Sequence, residues 1–218
     1  MQDLATATYL TLAITIVGGY LLGSIPFGLI ATRLGGAGDI RQIGSGNIGA
    51  TNVLRSGRKD LAAITLLGDA GKGAVAVLLA RWLTHDTAAI VALAGGAAFL
   101  GHLFPVWLKF KGGKGVATFY GVLLSACWPV GIAAGATWLA MAFLFRISSL
   151  AALTAAVLAA PFALAFDQPY PMVALGLFMA VLIFIRHHEN IARLLKGQEP
   201  KIGKKKTAEE TPPVADAP

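Results

Sequence analysis

A polar, glycine-rich segment between residues 33 and 55 carries residue types that bind phosphate groups. Its centre, residues 44–49, reads Gly-Ser-Gly-Asn-Ile-Gly, which is a literal G-x-G-x-x-G sequence. Glycines let a backbone come close to an anion and point several N–H groups at it. The segment therefore predicts a phosphate-binding loop, and an ordinary flexible loop is the alternative. The side chains expected to contribute neutral donors or charge are Arg41, Ser45, Asn47, Thr51, Asn52 and Arg55.

The surrounding sequence argues against a dinucleotide as the ligand of this loop. A Rossmann fingerprint follows a β-strand and opens a helix within a βαβ unit, whereas a long apolar run precedes these glycines. A helix that begins near Ala50 would still direct the positive end of its dipole at the loop. The chemistry that survives is the recognition of a phosphate.

A second candidate phosphate site is Lys111-Gly-Gly-Lys114-Gly115. Between glycines, the ammonium group of Lys114 can lie beside a phosphate that approaches the backbone closely. The alternative is a set of interfacial lysines that extend to lipid headgroups. That alternative fits Lys109 well and Lys114 poorly, because a lipid anchor does not need flanking glycines. We therefore predict that Lys114, and with it Lys111, binds phosphate.

Two further polar groups stand at the ends of apolar runs. Ser148 and Ser149 lie at a predicted helix boundary, where serine is often an N-cap, and a cap and a ligand contact both remain open. His187 and Asn190 are three residues apart, so they would share a face of a helix. A metal site formed with Glu189 is the less favoured alternative, since the sequence has no second cluster of ligands.

Ionisable residues also occur inside apolar runs. Asp69 and Lys72 are three residues apart within one run, and His102 lies near the polar end of another. Charged groups in a membrane span either serve function or pair with each other. The Asp69–Lys72 pair could satisfy only itself or could orient the site, and His102 could be structural or functional.

The elements that position these residues must be membrane helices. Charged residues make up 13% of the chain, about half of the roughly 25% that is typical of soluble domains. Only 17 of the 29 charges fall in the first 185 residues. A membrane helix needs about 20 apolar residues. Uncharged runs occupy 4–32, 87–108, 116–145, 147–166 and 168–185, and 61–80 is apolar except for Asp69 and Lys72.

The distribution of Lys and Arg determines how many helices to expect. The run at 116–145 exceeds one span by about ten residues, and Pro129 in its middle would break the helical hydrogen-bond ladder. If the run forms two helices, 16 of the 18 Lys and Arg residues lie on one side of the membrane. If it forms one helix, Arg146 and the basic tail change sides. The positive-inside rule favours seven transmembrane helices, some short, with a periplasmic N-terminus and a cytoplasmic C-terminus.

The sequence thus predicts an all-α integral membrane protein with one membrane domain, residues 1–198. The polar, proline-containing residues 199–218 are expected to form a disordered cytoplasmic tail. The net charge of +7 is explained by the positive-inside bias, so no nucleic-acid partner is expected. The single cysteine, Cys127, excludes an intrachain disulfide and is interpreted as a buried apolar residue.

These motifs, in this order and up to about Glu199, resemble the bacterial acyl-phosphate:glycerol-3-phosphate acyltransferases, the PlsY family. The resemblance implies an enzyme of the bacterial inner membrane with its active site on the cytoplasmic side. The segments that carry it begin with Gly23-Ser-Ile-Pro-Phe-Gly28, Asp39-Ile-Arg41, Gly44-Ser-Gly-Asn-Ile-Gly-Ala-Thr-Asn52 and Asp69-Ala-Gly-Lys72-Gly73. They continue with Gly101-His-Leu-Phe-Pro105, Lys111-Gly-Gly-Lys-Gly-Val-Ala-Thr118 and His187-His-Glu-Asn190.

The activity implied by the resemblance is transfer of a fatty acyl group from acyl phosphate to the 1-hydroxyl of sn-glycerol 3-phosphate. The products would be lysophosphatidic acid and inorganic phosphate, in the first committed step of phospholipid synthesis. The enzyme would work in the membrane lipid without a metal or another cofactor. It would depend functionally on an enzyme that forms acyl phosphate.

The candidate site residues fall into three groups. We expect His187, Ser45 and Asn47 to act in catalysis, and Asp69, Lys72 and His102 to support the site. The residues expected to bind substrate or phosphate are Gly44, Gly46, Gly49, Thr51, Asn52, Arg55, Lys111, Lys114, Ser149 and Asn190. Two positions depart from the family pattern. His188 stands where the family often has Arg or Lys, and the serine spacing is looser, so Ser148 could replace Ser149.

The sequence has neither a Ser-His-Asp arrangement nor the H-x-x-x-x-D motif of other glycerolipid acyltransferases. A covalent acyl-enzyme is therefore not expected. The hypothesis is direct attack by the glycerol hydroxyl, with a substrate phosphate oxygen taking the proton. His187 is the alternative base, because its reference pKa is near neutral. A transporter for an organophosphate is the alternative function, although polar residues at one interface suit an enzyme better than a midplane transport site.

Overall fold

The computed structural model describes residues 2–203, and every regular element in that range is helical. Single 3-10 turns at Ile40–Gln42 and Val106–Leu108 separate longer elements. The α-helices are α1 (Gln2–Gly23), α2 (Phe27–Leu34), α3 (Ala50–Arg55), α4 (Lys59–Leu83), α5 (Ala88–Leu103), α6 (Val116–Ala126), α7 (Trp128–Phe145), α8 (Ser148–Ala165), α9 (Tyr170–Arg186) and α10 (His188–Leu195).

Within residues 2–203, five helical segments are long and apolar enough to cross a membrane, or six if α9 and α10 count as one bent span. Their outward surface carries large apolar side chains, which a lipid environment solvates better than water. Examples on four different helices are Val17, Leu67, Phe143 and Leu177, all exposed. The apolar surface agrees with the integral membrane protein that the sequence predicts.

The predicted division of residues 116–145 into two helices is confirmed. Helix α6 ends at Ala126 and α7 begins at Trp128, with the buried Cys127 between them. Pro129 lies in the first turn of α7, where its missing N–H leaves no helical hydrogen bond unmade. Helix α6 has 11 residues and is shorter than an ordinary span.

The first apolar run is also interrupted, which the sequence analysis did not predict. Helix α1 ends at Gly23 and α2 begins at Phe27, after Pro26. The hydroxyl oxygen of Ser24 in the break accepts a 2.8 Å hydrogen bond from the indole of Trp107. The break allows α2 to turn under the first glycine-rich loop.

Small residues allow the helices around the site to pack closely. A methyl group on Gly23 would lie 1.9 Å from the carbonyl oxygen of Ala98, where α1 crosses α5. A methyl group on Gly121 would lie equally close to the carbonyl oxygen of Ala70, where α6 crosses α4. Backbones that approach this closely form tight membrane-helix contacts. These two crossings fix α5 and α6, between which the second glycine-rich loop runs.

Two apolar cores stabilise the part of the chain that the structure describes. The larger one joins α4 to α9 and includes Val77, Phe99, Phe119, Val122, Leu153 and Met179. The smaller one lies directly beneath the first loop and consists of Leu29, Ile40, Ile48, Val53, Leu61 and Ala62. The second core attaches the loop to α2, α3 and α4, so its backbone is held and does not form a free surface loop.

The predicted disordered tail begins too early at residue 199. Glu199 is hydrogen-bonded inside the protein, and Ile202 pairs with Arg146 through a backbone N–H and a guanidinium hydrogen bond. The segment up to Gly203 is therefore part of the folded domain. The rest of the predicted tail, residues 204–218, lies outside the described residues.

Candidate active site

The first loop, residues 44–49, is held by the amide side chain of Asn52 on α3. Asn52 is 2% exposed, and its nitrogen donates to the carbonyl oxygens of Ile40, Ile43 and Asn47. Its oxygen accepts from the backbone N–H of Ser45 at 2.9 Å and from the hydroxyl of the same residue at 3.2 Å. Asn52 thus uses its hydrogen-bonding groups inside the loop.

The glycines of this loop do not all have the same backbone conformation. Gly44 and Gly46 have φ angles of 59° and 68°, in the left-handed region that favours glycine. Gly49 precedes α3, and its N–H donates to the side-chain oxygen of Asn47 at 2.9 Å. The prediction of a helix beginning near Ala50 is confirmed. The loop is therefore a compact turn that presents Ser45 and Asn47.

The second loop, residues 111–115, is attached to the end of α5. The N–H of Gly112 donates to the carbonyl oxygen of Leu103, and the N–H of Gly113 donates to that of His102, both at 3.1 Å. From the other side, the guanidinium of Arg186 donates to the carbonyl oxygens of Gly112 at 2.7 Å and Gly113 at 3.1 Å. The loop backbone is thereby fixed on both sides, directly before Lys114.

The two loops face each other across a cavity of about 310 Å³. Six predicted residues line it: Arg41, Ser45, Gly46, Asn47, Lys111 and Lys114. Ile48, Gly112, Arg186, His188 and Glu189 complete the lining. The structure therefore brings together the two loops that the sequence analysis singled out separately.

Several predicted residues lie outside the lining of this cavity. Gly44 and Gly49 belong to the first loop, and Asn52 on α3 shapes it, as described above. Thr51 and Arg55 lie on the exposed side of α3. The aliphatic part of Arg55 is close to Gly44, and its positive charge acts on Lys114.

A polar cluster extends the cavity towards α8 and α10. The ammonium group of Lys114 donates to the side-chain oxygen of Asn190, whose nitrogen donates to the Glu199 carboxylate at 2.6 Å. The same carboxylate accepts from the Ser149 hydroxyl at 2.8 Å and from the Arg193 guanidinium at 2.7 Å. The cluster thus joins three predicted residues: Asn190 and Ser149 donate to one carboxylate, and Lys114 is linked to it through Asn190.

The two adjacent serines lie in different surroundings. Ser149 is 7% exposed and contacts Glu199, whereas Ser148 is half-buried and begins α8 without a side-chain cap. Ser149, and not Ser148, therefore belongs to the polar cluster around Glu199.

The electrostatics of the site suit an anionic ligand. Burial and the positive charge of Arg193 lower the pKa of Lys114. Hydrogen bonds from Asn190, Ser149 and Arg193 outweigh the effect of burial and lower the pKa of Glu199. The Arg41 guanidinium lowers the pKa of the partly exposed Asp39 carboxylate to about 2. Four cationic side chains, those of Arg41, Lys111, Lys114 and Arg186, line the cavity against the single carboxylate of Glu189.

His187 marks the junction of α9 and α10, where the chain bends by 66°. The side chain is buried, and its Nδ1 atom lies 2.8 Å from the carbonyl oxygen of Ile183. That contact occupies the Nδ1 atom with the backbone, so Nε2 is the other ring nitrogen that could contact a substrate. The spacing of His187 and Asn190 predicted that they share a face of one helix. Because of the bend, His187 lies at the junction and Asn190 on α10, so the two residues do not lie on one continuous helix.

The predicted supporting residues form a buried cluster behind the second loop. The ammonium group of Lys72 lies 2.7 Å from the carboxylate of Asp69 and 2.8 Å from the carbonyl oxygen of Ile25. The Nδ1 atom of His102 lies 3.5 Å from the same carboxylate. Within residues 2–203, no three His, Cys, Asp or Glu side chains are grouped as metal ligands would be.

The sequence analysis missed Arg186, Arg193 and Glu199 as site residues. Arg186 follows an apolar run, and from the sequence it indicates only which side of the membrane that run ends on. In the structure its guanidinium binds the second loop. Glu199 was assigned to the tail because the residues that follow it are polar. Its place at the end of the recognised motif region was the one available signal.

Comparisons with known proteins identify the relatives of this chain. The family model described as glycerol-3-phosphate acyltransferase matches residues 13–197. The glycerol-3-phosphate acyltransferase of Caulobacter vibrioides (strain NA1000 / CB15N) is 88% identical over the whole of both chains. The enzyme of the same name from Dinoroseobacter shibae is 60% identical over 94% of this chain and all of its own.

Two solved structures share the fold. One is the crystal structure of PlsY (YgiH), an integral membrane glycerol 3-phosphate acyltransferase, in its glycerol 3-phosphate form. It is 37% identical, has a TM-score of 0.83 and covers 88% of this chain and 96% of that one. The lysophosphatidic acid form is 36% identical with a TM-score of 0.82, covering 88% and 95% of the two chains.

Proposed function

This chain belongs to the PlsY family of glycerol-3-phosphate acyltransferases, and from that premise we propose its donor, products and site. It is a multi-pass membrane acyltransferase that acts on glycerol 3-phosphate. The proposed donor is acyl phosphate, and the proposed products are lysophosphatidic acid and inorganic phosphate. The reaction would start phospholipid synthesis and depend on a separate enzyme that supplies acyl phosphate.

The observation that carries the proposal is the pair of loops facing one cationic cavity. Both proposed substrates carry a phosphate, so the site must hold two anions close together. Ser45 and Asn47 on one side and Lys111 and Lys114 on the other provide donors and charge for this purpose. The related PlsY structures in glycerol 3-phosphate and lysophosphatidic acid forms support the acceptor and the product.

An apolar groove supports a lipid-like donor. Its volume is about 370 Å³, and it lies between α8, α9 and α10. The lining residues are Leu150, Leu153, Thr154, Val157, Phe184, Ile191, Leu194 and Leu195. Leu150 and Ile191 follow Ser149 and Asn190 directly in sequence, so the groove begins beside the polar cluster. We assign the acyl chain to this groove.

The proposed mechanism is direct acyl transfer. The 1-hydroxyl oxygen of glycerol 3-phosphate attacks the acyl carbonyl carbon, and the bond from that carbon to the donor phosphate oxygen breaks. A substrate phosphate oxygen takes the hydroxyl proton. The loops and Lys114 hold the two substrates in position and stabilise the charge that develops on the leaving phosphate.

The remaining site residues are proposed to act around this centre. Ser45 and Asn47 orient the reacting groups, while Asn52, Gly44 and Gly49 shape the loop that carries them. Gly46 contributes its backbone to the cavity, and Arg55 and Thr51 act from its outer side. Ser149 and Asn190 hold phosphate with Lys114, and Asp69, Lys72 and His102 support the loops.

His187 is the alternative general base. With its Nδ1 atom bonded to a carbonyl oxygen, its Nε2 atom is the nitrogen that would accept a proton. Replacing His187 with Ala decides between the two bases. A drop in kcat of more than about a thousandfold, with the KM for glycerol 3-phosphate retained, would favour His187 as base over a substrate phosphate.

The test of the reaction uses the purified protein in detergent. We expect it to convert synthetic acyl phosphate and glycerol 3-phosphate to lysophosphatidic acid and phosphate without added metal or ATP. Acyl-CoA of the same chain length serves as the comparison donor and should give no product. If acyl-CoA alone supports the reaction, the proposed donor is wrong.

The proposed topology has seven membrane-crossing helices, counting α1 with α2 as one and including the short α6. The N-terminus would be periplasmic, and the C-terminus and site cytoplasmic, in the bacterial inner membrane. In a Cys127→Ala background, single cysteines at Asp86 or Asp167 should react with an impermeant maleimide in spheroplasts. A cysteine at Lys201 should react only after permeabilisation, and the opposite pattern would reverse the orientation.

A further inference from the structure

The buried cluster of Asp69, Lys72 and His102 touches the supports of both glycine-rich loops. All three side chains are at most 3% exposed. Asp69 and Lys72 pair within α4, and His102 approaches the carboxylate from the last turn of α5. A pair that only satisfied itself would need neither His102 nor further contacts. The additional contacts of His102 and Lys72 with the supports of the loops indicate that the cluster helps to place the loops.

The contact with the second loop is made by the His102 ring. A methyl group on Gly113 would lie 2.1 Å from Nε2 and 2.7 Å from Cε1 of His102, well inside van der Waals contact. Gly113 therefore lies directly against the imidazole. Its N–H also donates to the carbonyl oxygen of His102 at 3.1 Å. The ring and the backbone of one residue thus define where Gly113, and the adjacent Lys114, can lie.

The contact with the first loop passes through Lys72. Its ammonium group donates to the carbonyl oxygen of Ile25 in the break between α1 and α2. Helix α2 begins two residues later, and its Gly28 packs against the first loop. A methyl group on Gly28 would lie 1.8 Å from the carbonyl oxygen of Ile48. Lys72 therefore fixes the helix on which the first loop rests.

Asp69 connects these two contacts and adds a third. Its carboxylate lies within 2.7 Å of Lys72 and 3.5 Å of His102. Its backbone oxygen accepts a 2.8 Å hydrogen bond from the hydroxyl of Thr118, in the first turn of α6 after the second loop. The cluster therefore contacts the second loop at Gly113 and the helix that follows the loop at Thr118.

We propose that the Asp69–Lys72–His102 cluster sets the separation of the two loops, and that His102 is a positioning residue for Lys114 through its contact with Gly113. The inference rests on the proposed function, because it assumes that Lys114 binds a substrate phosphate. His102 itself does not touch substrate. Its ring is the surface against which the loop backbone is placed.

The experiment uses a pair of complementary substitutions. Gly113→Ala should collide with the imidazole and lower kcat/KM for glycerol 3-phosphate at least thirtyfold. His102→Ala should leave a space under the loop and lower the same quantity at least tenfold, mainly by raising KM. In the double variant the methyl group added at position 113 enters the space left by the ring. We expect the double variant to be at least tenfold more active than Gly113→Ala alone.

The matched control is Gly135→Ala on α7, where no heavy atom lies within 4 Å of the added methyl group. This variant should keep the wild-type kinetics. Size-exclusion profiles and thermal midpoints in detergent identify variants that fail to fold. If the double variant is as impaired as the product of the two single effects, the contact between His102 and Gly113 does not place the loop.

A second measurement tests the link to Lys114. In a Lys114→Ala background, His102→Ala should change kcat/KM less than threefold, because the group that it positions is gone. An undiminished tenfold effect there would mean that His102 acts through general stability, and would overturn the proposal. A wild-type protein that forms no product with acyl phosphate would instead overturn the proposed function.

Discussion

The carboxylate of Glu199 accepts a 2.8 Å hydrogen bond from the hydroxyl of Ser149, a residue fifty positions earlier in the chain. It also accepts from Asn190 and Arg193, and its side chain is only 5% exposed. A charge this buried is stable only because donors surround it. The start of α8 and the helix α10 are therefore held together by one side chain from beyond both helices.

Replacing Glu199 with Gln should damage both activity and stability. The amide keeps the size of the carboxylate but loses its charge, and it cannot accept from all three donors. Each hydrogen bond to a charged group contributes about 1.5–3 kcal/mol. We expect a loss of at least tenfold in kcat/KM and a lower thermal midpoint, measured in detergent. Asp167→Asn, an exposed carboxylate at the opposite end of α8, is the control and should match the wild type in both quantities.

The same residue should make the stability of the protein depend on pH on the acid side. Its pKa is lowered in the folded state, so the stabilisation that it gives is complete above the ordinary glutamate pKa. It is lost as the pH falls through the lowered folded pKa. The thermal midpoint of the wild type should therefore fall more steeply below about pH 4.5 than that of Glu199→Gln. Parallel curves for the two proteins would contradict this assignment.

Lys114 should limit activity on the alkaline side. Burial and the charge of Arg193 lower its pKa, so the ammonium form is lost at a lower pH than for an ordinary lysine. The kcat/KM for glycerol 3-phosphate reports the free enzyme and should fall along this titration. In Lys114→Arg the positive charge persists to higher pH, so the alkaline decline in activity should move to higher pH. The guanidinium differs from the ammonium group in shape, so the activity should be lower at every pH. An unchanged decline would assign the titration to another group.

The two adjacent serines should respond differently to replacement by Ala. Ser149→Ala removes a donor to the buried Glu199 carboxylate and should lower kcat/KM about tenfold or more. Ser148→Ala changes a half-buried residue outside the cluster and should stay within about twofold of the wild type. Measuring both variants with the same acyl phosphate makes each the control of the other. Equal effects would show that the cluster geometry does not govern activity.

The apolar groove can be tested by shortening it. Val157 lies on α8, 51% exposed, at two turns from Ser149. Val157→Trp should block the far end and select against long acyl phosphates, because each excluded CH2 group forfeits about 0.8 kcal/mol of burial. Two excluded groups correspond to about a tenfold loss relative to a short donor. Val181→Trp on α9 is the matched control, since Val181 is also 51% exposed and lies outside the groove.

The sequence alone was enough for the class of fold and for a prediction of phosphate binding by the loops. Long apolar runs predict helices, because the bilayer core offers no hydrogen-bond partners and a helix satisfies its backbone N–H and C=O groups internally. The charge asymmetry and Pro129 predicted the division between α6 and α7. Gly44, Gly46 and Lys114 indicated phosphate binding, because the conformational freedom of glycine and the charge of lysine are properties of the residues themselves.

Only the tertiary structure decided which of these groups face the cavity. Asn52 matched the motif as well as Ser45 did, yet its amide turns inward and bonds to its own loop. Glu199 and Arg186 entered the site through contacts with residues 50 and 74 positions away. Such pairings depend on how the helices cross, through close contacts such as that of Gly121 with Ala70. Local spacing determines which side chains share a helix face, whereas packing between distant segments determines what those side chains meet.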